Sequence, residues 1–375
     1  MQDKAALELH KQLKGKIKIS LRGDVTHETL RQFYTPGVGA VSSYVAEHPE
    51  TLRDYTWTNN LVAVISDGSA VLGLGDIGPE GALPVMEGKA MLFKHFAGID
   101  AVPIVLNVHT ADEIVAAVLA VAPSFGGINL EDIAAPVCFD VEDRLKERLT
   151  IPVMHDDQHG TAIVVLAALI NAAKLAGKEV SELKIVIVGA GAAGVAIAKL
   201  LHQYADPRIF MVDSIGVISK NRTDLNQVKM DLMEFSNMSG IDGSLEDILK
   251  GADTFIGVSK AGLLTADMVA SMDKSPIIFA LANPIPEILP DEAKLAGAFI
   301  IATGRSDFPN QINNVLAFPG IFRGALDNQV QKITDQHKIA AAEAIAALVE
   351  KPDVEHIVPS VFDERVMGAV ANVIK

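Results

Sequence analysis

A single cysteine, Cys138, stands in 375 residues, so the chain can form no internal disulfide and no thiolate zinc cluster. Runs of lysine and arginine are missing as well. The 32 basic residues are outnumbered by 47 acidic ones, for a formal net charge of −15, and nothing in the sequence could track a phosphate backbone. No nucleic acid is therefore expected as a partner. The opening MQDKAALELH lacks the basic-then-apolar order of a secretion signal, and the richest apolar stretch, AIVVLAALI at 162–170, is far short of the ~18 residues that span a bilayer. The expectation is a soluble, cytoplasmic protein with no membrane partner. Internal repeats, low-complexity tracts and long linkers are also absent. The acidic balance serves solubility and does not exclude an anionic substrate held in a locally cationic or metal-bearing site.

What is present suits a globular enzyme. Apolar residues make up 49% and charged residues 21%, and 375 residues exceed the usual size of one core, so two domains are expected. Short apolar runs (LVAVIS, AVPIVLNV) alternate with helical stretches (PVMEGKAMLFKHFAG, ADEIVAAVLAVA), which argues for a parallel sheet covered by helices. The helical stretch HGTAIVVLAALINAAKLAG at 159–177 leads to a second series of strands, KIVIV, RIFMV, TFIGV, PIIFAL and AFIIAT. The fold class is α/β with two domains: an N-terminal α/β substrate and metal domain over 1–157, and a Rossmann-type doubly wound dinucleotide-binding domain over 158–330. Helices over 331–375 are expected to pack back on the first domain. A cleft should lie between the domains.

KIVIVGAGAAGVAIAKLL sets Gly189, Ala190, Gly191, Ala192, Ala193 and Gly194 between an apolar strand and an Ala-rich helix. The first glycine permits the tight turn, the second admits a pyrophosphate to the backbone, and the third lets helix pack on strand. GxGxxG alone is weak evidence. The next strand ends at Asp213, 24 residues after Gly189, where an acid can accept from a ribose hydroxyl and repel a 2′-phosphate. NAD is the expected cofactor, with NADP admitted if Lys220 and Arg222 compensate; otherwise these two are solvated loop cations.

Two acid pairs follow apolar strands. Glu131 and Asp132 lie in INLEDIAAP, and Asp156 and Asp157 in PVMHDDQHGTA. Adjacent acids are common on exposed turns and at helix N-termini. At the carboxyl ends of two parallel strands they instead form a cluster whose repulsion a hard divalent cation would relieve, Mg²⁺ or Mn²⁺ rather than zinc. His155 and His159 are read as neighbours orienting the chain rather than as ligands. Lys89, in an apolar helix, is either a snorkelling surface lysine or a cleft lysine whose pKa burial lowers toward neutrality. Tyr34, beside a Thr-Pro-Gly turn, is a structural residue or a proton donor.

Together FYTPGV, LGLGDIGP, PVMEGKAMLFKHFAGID, INLEDIAAP, HDDQHGTA, GAGAAG, ANPIPE and NNVLAFPG resemble the malic enzymes, in their short bacterial form, in order from about residue 20 to 328. The resemblance implies oxidative decarboxylation of L-malate to pyruvate and CO₂ with reduction of NAD(P)⁺. It implies Glu131, Asp132 and Asp157 as ligands of Mn²⁺ or Mg²⁺, Lys89 as general base tuned by Asp156, and Tyr34 as general acid. Asn283 in ANPIPE would contact the nicotinamide ribose or the substrate, and Asn314 the malate carboxylate. The arginine that longer relatives carry before LGLGD is replaced by Ala70 and Val71, so carboxylate binding must come from elsewhere. The family also implies a homodimer, with Tyr34 acting in its own or the neighbouring subunit. Two other readings compete: an oxaloacetate decarboxylase on the same scaffold without net redox, and a catalytically silent nucleotide sensor.

Overall fold

In a computed structural model, residues 2–72 and 74–375 are described. Strands β1 (Leu61–Ser66), β2 (Asp100–Val105), β3 (Gly127–Leu130) and β4 (Val153–His155) form a parallel sheet of order β2-β1-β3-β4. A second parallel sheet takes β5 (Lys184–Val188), β6 (Arg208–Val212), β7 (Thr254–Gly257), β8 (Ile277–Ala280) and β9 (Ile300–Thr303) in the order β6-β5-β7-β8-β9. All six residues of β1 are buried, as are all four of β3, β7, β8 and β9. A strand covered on both faces gains from an apolar side chain at every position, which explains why these segments read as unbroken apolar runs.

The main helices are α1 (Gln2–Leu13), α2 (His27–Phe33), α3 (Gly37–Glu47), α4 (Gly78–Ala97), α5 (Ala111–Val121), α6 (Val137–Arg148), α7 (Asp156–Ala176), α8 (Ala192–Ala205), α9 (Phe318–Asp327), α10 (Asp335–Ala347) and α11 (Arg365–Val373). Helix α7 begins three residues before the predicted stretch, so Asp156 and Asp157 occupy its first turn. It buries fourteen of its 21 residues. By length and composition it could cross a membrane, with mean hydropathy 1.5, but two thirds of that window is buried inside the protein, chiefly against α8 and α10. One core runs through both sheets, joining Val62 and Val64 of β1, Leu166 of α7, Ile187 of β5 and Phe279 of β8.

Phe93 of α4 meets Phe318 and Phe322 of α9 edge-on at centroid distances of 4.7 and 5.4 Å, which ties the first domain to the end of the second. Helix α11 packs on α9 and α10, and Phe362 just before it lies against Phe96 of α4. By contrast α2 and α3 bury no residue, and Leu30, Phe33, Tyr34 and Tyr44 are exposed there.

Both sheets reverse direction of growth next to their first strand, β1 in one and β5 in the other. Loops leaving the carboxyl ends on either side of such a point diverge and leave a crevice. The segments after β3, β4, β5, β7, β8 and β9 all contribute to a single cleft of about 910 Å³ between the domains.

Candidate active site

Backbone pairing continues past β3, because the Glu131 N–H donates to Ile65 O at 2.8 Å. The chain then turns at Asp132, whose φ of +53° lies in the left-handed region that Asp tolerates better than most residues. That turn is pinned from the β1 side: Ala70 N–H donates to Asp132 O at 3.0 Å, and Ala134 N–H donates to Ser69 Oγ at 2.9 Å. Ser69 Oγ in turn donates to buried Asp67 at 2.6 Å. From the β4 side, Asp157 Oδ2 accepts the Asp132 N–H at 2.7 Å.

These turns bring one oxygen each from Glu131, Asp132 and Asp157 within 4.8 Å of one another. Asp132 Oδ2 is buried without a hydrogen-bond partner among the described residues, an arrangement that costs free energy unless a cation satisfies it. Burial, then repulsion from its acidic neighbours, pushes the Asp132 carboxyl up to about 8, and burial with the Asp156 charge pushes Asp157 up to about 6. Three converging acid oxygens, with Asp132 Oδ2 left unpartnered among the described residues, fit a hard divalent cation.

Lys89 projects from the middle of α4 into the same cluster, its side chain 7% exposed. Nζ lies 2.5 Å from Asp156 Oδ2, 2.8 Å from Glu131 Oε1 and 4.1 Å from the Phe318 ring centroid. Burial alone would lower its pKa, as the sequence suggested. The charges of Asp156, Glu131 and Asp157 outweigh burial and raise it instead. One lysine among four carboxylates is thus held protonated, while burial leaves Asp156 with a pKa of about 7 despite the ammonium beside it. Asn314 Nδ2 donates to the same Asp156 Oδ2 at 2.5 Å, so Asn314 touches the pair and also lines the cleft.

On the opposite wall are Gly191, Ala192 and Ala193 at the start of α8, together with Asn283 after β8. Gly189 has φ +114°, and a Cβ on Gly194 would strike the Gly189 carbonyl oxygen, so the first glycine serves the turn and the third the helix-strand contact. A second cavity of about 450 Å³ touches Gly189, Ala190 and Asp213. Asp213 is not a free acceptor there. Its Oδ1 takes Ile215 N–H (3.0 Å), Gly216 N–H (3.3 Å) and Arg222 Nη1 (2.8 Å), and Oδ2 takes Arg222 Nη2 (2.9 Å) and Lys229 Nζ (2.6 Å). Those donors fill the carboxylate's lone pairs and hold its pKa below the usual range despite partial burial. The expectation that Asp213 accepts from a ribose and repels a 2′-phosphate therefore loses its basis. Arg222 is no solvated cation, and Lys229 had no local signal in the sequence.

Tyr34 stands apart from the other predicted residues. It caps α2, is 67% exposed, and does not line the cleft of its own chain among the described residues. His155 is fully buried, and His159 turns away from the acids to pair with Glu142. Glu142 was not singled out in the sequence. Its signal was its place on the inner stripe of α6, beside Val141 and one turn from Cys138 and Leu145.

The model for the N-terminal domain of malic enzyme matches residues 14–113 and 108–146, and the model for the malic enzyme NAD-binding domain matches residues 158–373. A bifunctional malic/malolactic enzyme of Bacillus subtilis is 55% identical over 98% of the chain and 91% of its own length. An NAD-dependent malic enzyme of Geobacillus stearothermophilus is 51% identical over 96% of the chain and 76% of its own. Among solved structures, the NAD-dependent malic enzyme of Thermotoga maritima superposes with a TM-score of 0.96 at 51% identity, covering 99% of this chain and 98% of that one.

Proposed function

The chain belongs to the malic enzyme family, and from that premise we propose that it converts L-malate to pyruvate and CO₂, with NAD⁺ or NADP⁺ as hydride acceptor and Mn²⁺ or Mg²⁺ as metal. The observation that carries this reading is the meeting, in one cleft, of the Lys89–Asp156 pair, the three converging acids and the glycine-rich start of α8. A sensor of nucleotides has no use for such a set.

Glu131, Asp132 and Asp157 would hold the metal. Bound there, it offsets their charge and polarises the substrate's C2 oxygen, which gives the electrons released with CO₂ somewhere to go. Lys89 and Asp156 act as one proton-accepting unit. As hydride leaves C2 for the nicotinamide, the C2 hydroxyl proton passes to Nζ, and the proton already on Nζ passes across the 2.5 Å contact to Asp156, whose carboxyl titrates near neutrality. Asn314 keeps Oδ2 of Asp156 aimed at Nζ and presents the rest of its amide to the substrate. Asn283 contacts the nicotinamide ribose or the substrate from the opposite wall.

Tyr34 then protonates C3 of the enolate left by loss of CO₂, giving pyruvate, and the proton taken up by the Lys89–Asp156 unit restores the tyrosine. Because α2 and α3 bury nothing in one chain and carry exposed Leu30, Phe33 and Tyr34, a homodimer in which the partner supplies the tyrosine supports this step best. The protein works in the cytoplasm on this reading, consistent with a lone, buried Cys138.

The test is a steady-state assay of malate with NAD⁺ and with NADP⁺, each with and without Mn²⁺, following reduced nicotinamide and pyruvate. Both products should appear, and only with metal. Metal-dependent loss of oxaloacetate with no nicotinamide reduced from malate would replace this reading with a decarboxylase.

A further inference from the structure

Outside the cleft, a cluster of buried and half-buried charge surrounds Glu142 on α6. Its side chain is 3% exposed, and both oxygens are engaged by the segment that opens α7. Oε1 accepts the backbone N–H of His155 at 2.9 Å, and Oε2 accepts from His159 Nε2 at 2.8 Å. Lys146, one turn along α6, neutralises it at 2.7 Å.

His155 immediately precedes α7 and His159 is its fourth residue, so the two contacts span the first turn. The His155 contact is made by the backbone and the His159 contact by the side chain, and Gln158 Nε2 also donates to Glu142 Oε2, at 3.5 Å. The residues between His155 and His159 include Asp156, which pairs with Lys89, and Asp157, which converges with Glu131 and Asp132. One carboxylate therefore grips the turn that presents Asp157 to the cleft and Asp156 to Lys89. The buried amino end of α7 also exposes N–H groups that need an acceptor, and Glu142 supplies it with a charge of favourable sign.

We propose that Glu142 is a positioning residue that fixes the rotation of the first turn of α7, and so sets where Asp156 and Asp157 stand. This rests on the reading that Glu131, Asp132 and Asp157 bind a divalent cation. Residues behind metal ligands commonly change metal affinity or activity about 10- to 100-fold when replaced.

The experiment compares wild type, Glu142→Gln, His159→Gln, the double variant and Asp132→Asn. Mn²⁺ binding is measured by electron paramagnetic resonance without substrate or nucleotide, NADH binding by fluorescence, and folding by circular dichroism. Glu142→Gln should raise the Mn²⁺ Kd about 10-fold or more and His159→Gln a few-fold, with NADH affinity within about twofold of wild type. In the double variant the loss should be smaller than the product of the two single losses, because both act through one turn. Wild-type-like Mn²⁺ affinity in Glu142→Gln would overturn the proposal; should that variant not fold, unchanged affinity in His159→Gln would do so. If wild type itself binds no Mn²⁺, or Asp132→Asn binds it as tightly, the metal reading fails instead.

Discussion

Lys89 Nζ and Asp156 Oδ2 lie 2.5 Å apart, with side chains 7% and 0% exposed. An ion pair this dry is a costly way to hold two helices together, since removing either partner strands a buried charge. Its place at the cleft wall gives it another use. Lys89→Ala and Asp156→Asn should each lower kcat for malate oxidation by about 100-fold or more, in the range of lost general acid-base catalysis. Fluorescence titration with NADH should show nucleotide affinity close to wild type in both, and a variant retaining wild-type turnover would rule out the proton relay.

The pH dependence has a defined sign. Burial and repulsion raise the Asp132 and Asp157 carboxyls to about 8 and about 6, above the ordinary 3.8 they regain on unfolding. The folded state thus binds more protons than the unfolded state, and these groups favour folding below about pH 4 and oppose it increasingly up to about pH 8. Metal-free protein should therefore show a Tm contribution from this cluster that falls over that window. Mn²⁺ should raise the Tm by a larger step at pH 8 than at pH 6, with proton release on binding at neutral pH measurable by calorimetry in two buffers.

Gly160 sits where a Cβ would run into Asp156 Oδ1. Gly160→Ala should displace that carboxyl from Lys89 and lower kcat by at least about 10-fold, because small misplacements at a reacting centre are expensive. Single-turnover kinetics with NAD⁺ already bound would locate the defect in the chemical step.

Cofactor choice should not depend on Asp213 as a free acid. Its oxygens are taken up by Arg222, Lys229 and two backbone amides, so wild type should accept both NAD⁺ and NADP⁺. Asp213→Asn releases two cations beside the second cavity and should shift the kcat/KM ratio toward NADP⁺ by about 10-fold. A shift toward NAD⁺ would contradict this account.

A tyrosine supplied by the partner leads to a mixing experiment. Tyr34→Phe and Lys89→Ala chains should each be nearly inactive alone. Dissociated and reassociated one to one, they should recover roughly a quarter of wild-type turnover, because half the dimers are mixed and each mixed dimer holds one complete site. No recovery would place Tyr34 and Lys89 in the same chain.

The strands of the described residues could be read from the sequence as apolar runs bounded by polar residues, a pattern that burial on both faces explains for β1, β3, β7, β8 and β9 but not for β2, which is half-buried throughout. The acids were legible for a related reason: Glu131 and Asp132 directly follow such a run, and Asp156 and Asp157 follow another with only His155 between. Effects depending on distant partners were not legible. Nothing near Lys89 in sequence says that Asp156, 67 positions on, will raise its pKa rather than let burial lower it. The filling of Asp213 depends on Lys229, 16 residues away across a turn, and Tyr34 belongs to a surface that one chain leaves uncovered. Glu142 reads as one of several charges in VEDRLKER until α6 is laid against α7.

Helix α7 starts in the acid cluster and packs against α8 and α10, and one core runs through both sheets along it. The two halves are therefore not interchangeable cartridges. A gene cut at the apparent boundary near residue 157 would split the first turn of that helix, leaving one fragment with an uncovered sheet and the other with a severed hydrophobic rod. Exchange of nucleotide-binding modules between relatives should succeed only when the crossover lies upstream of β4, so that the rod and its acids are inherited together.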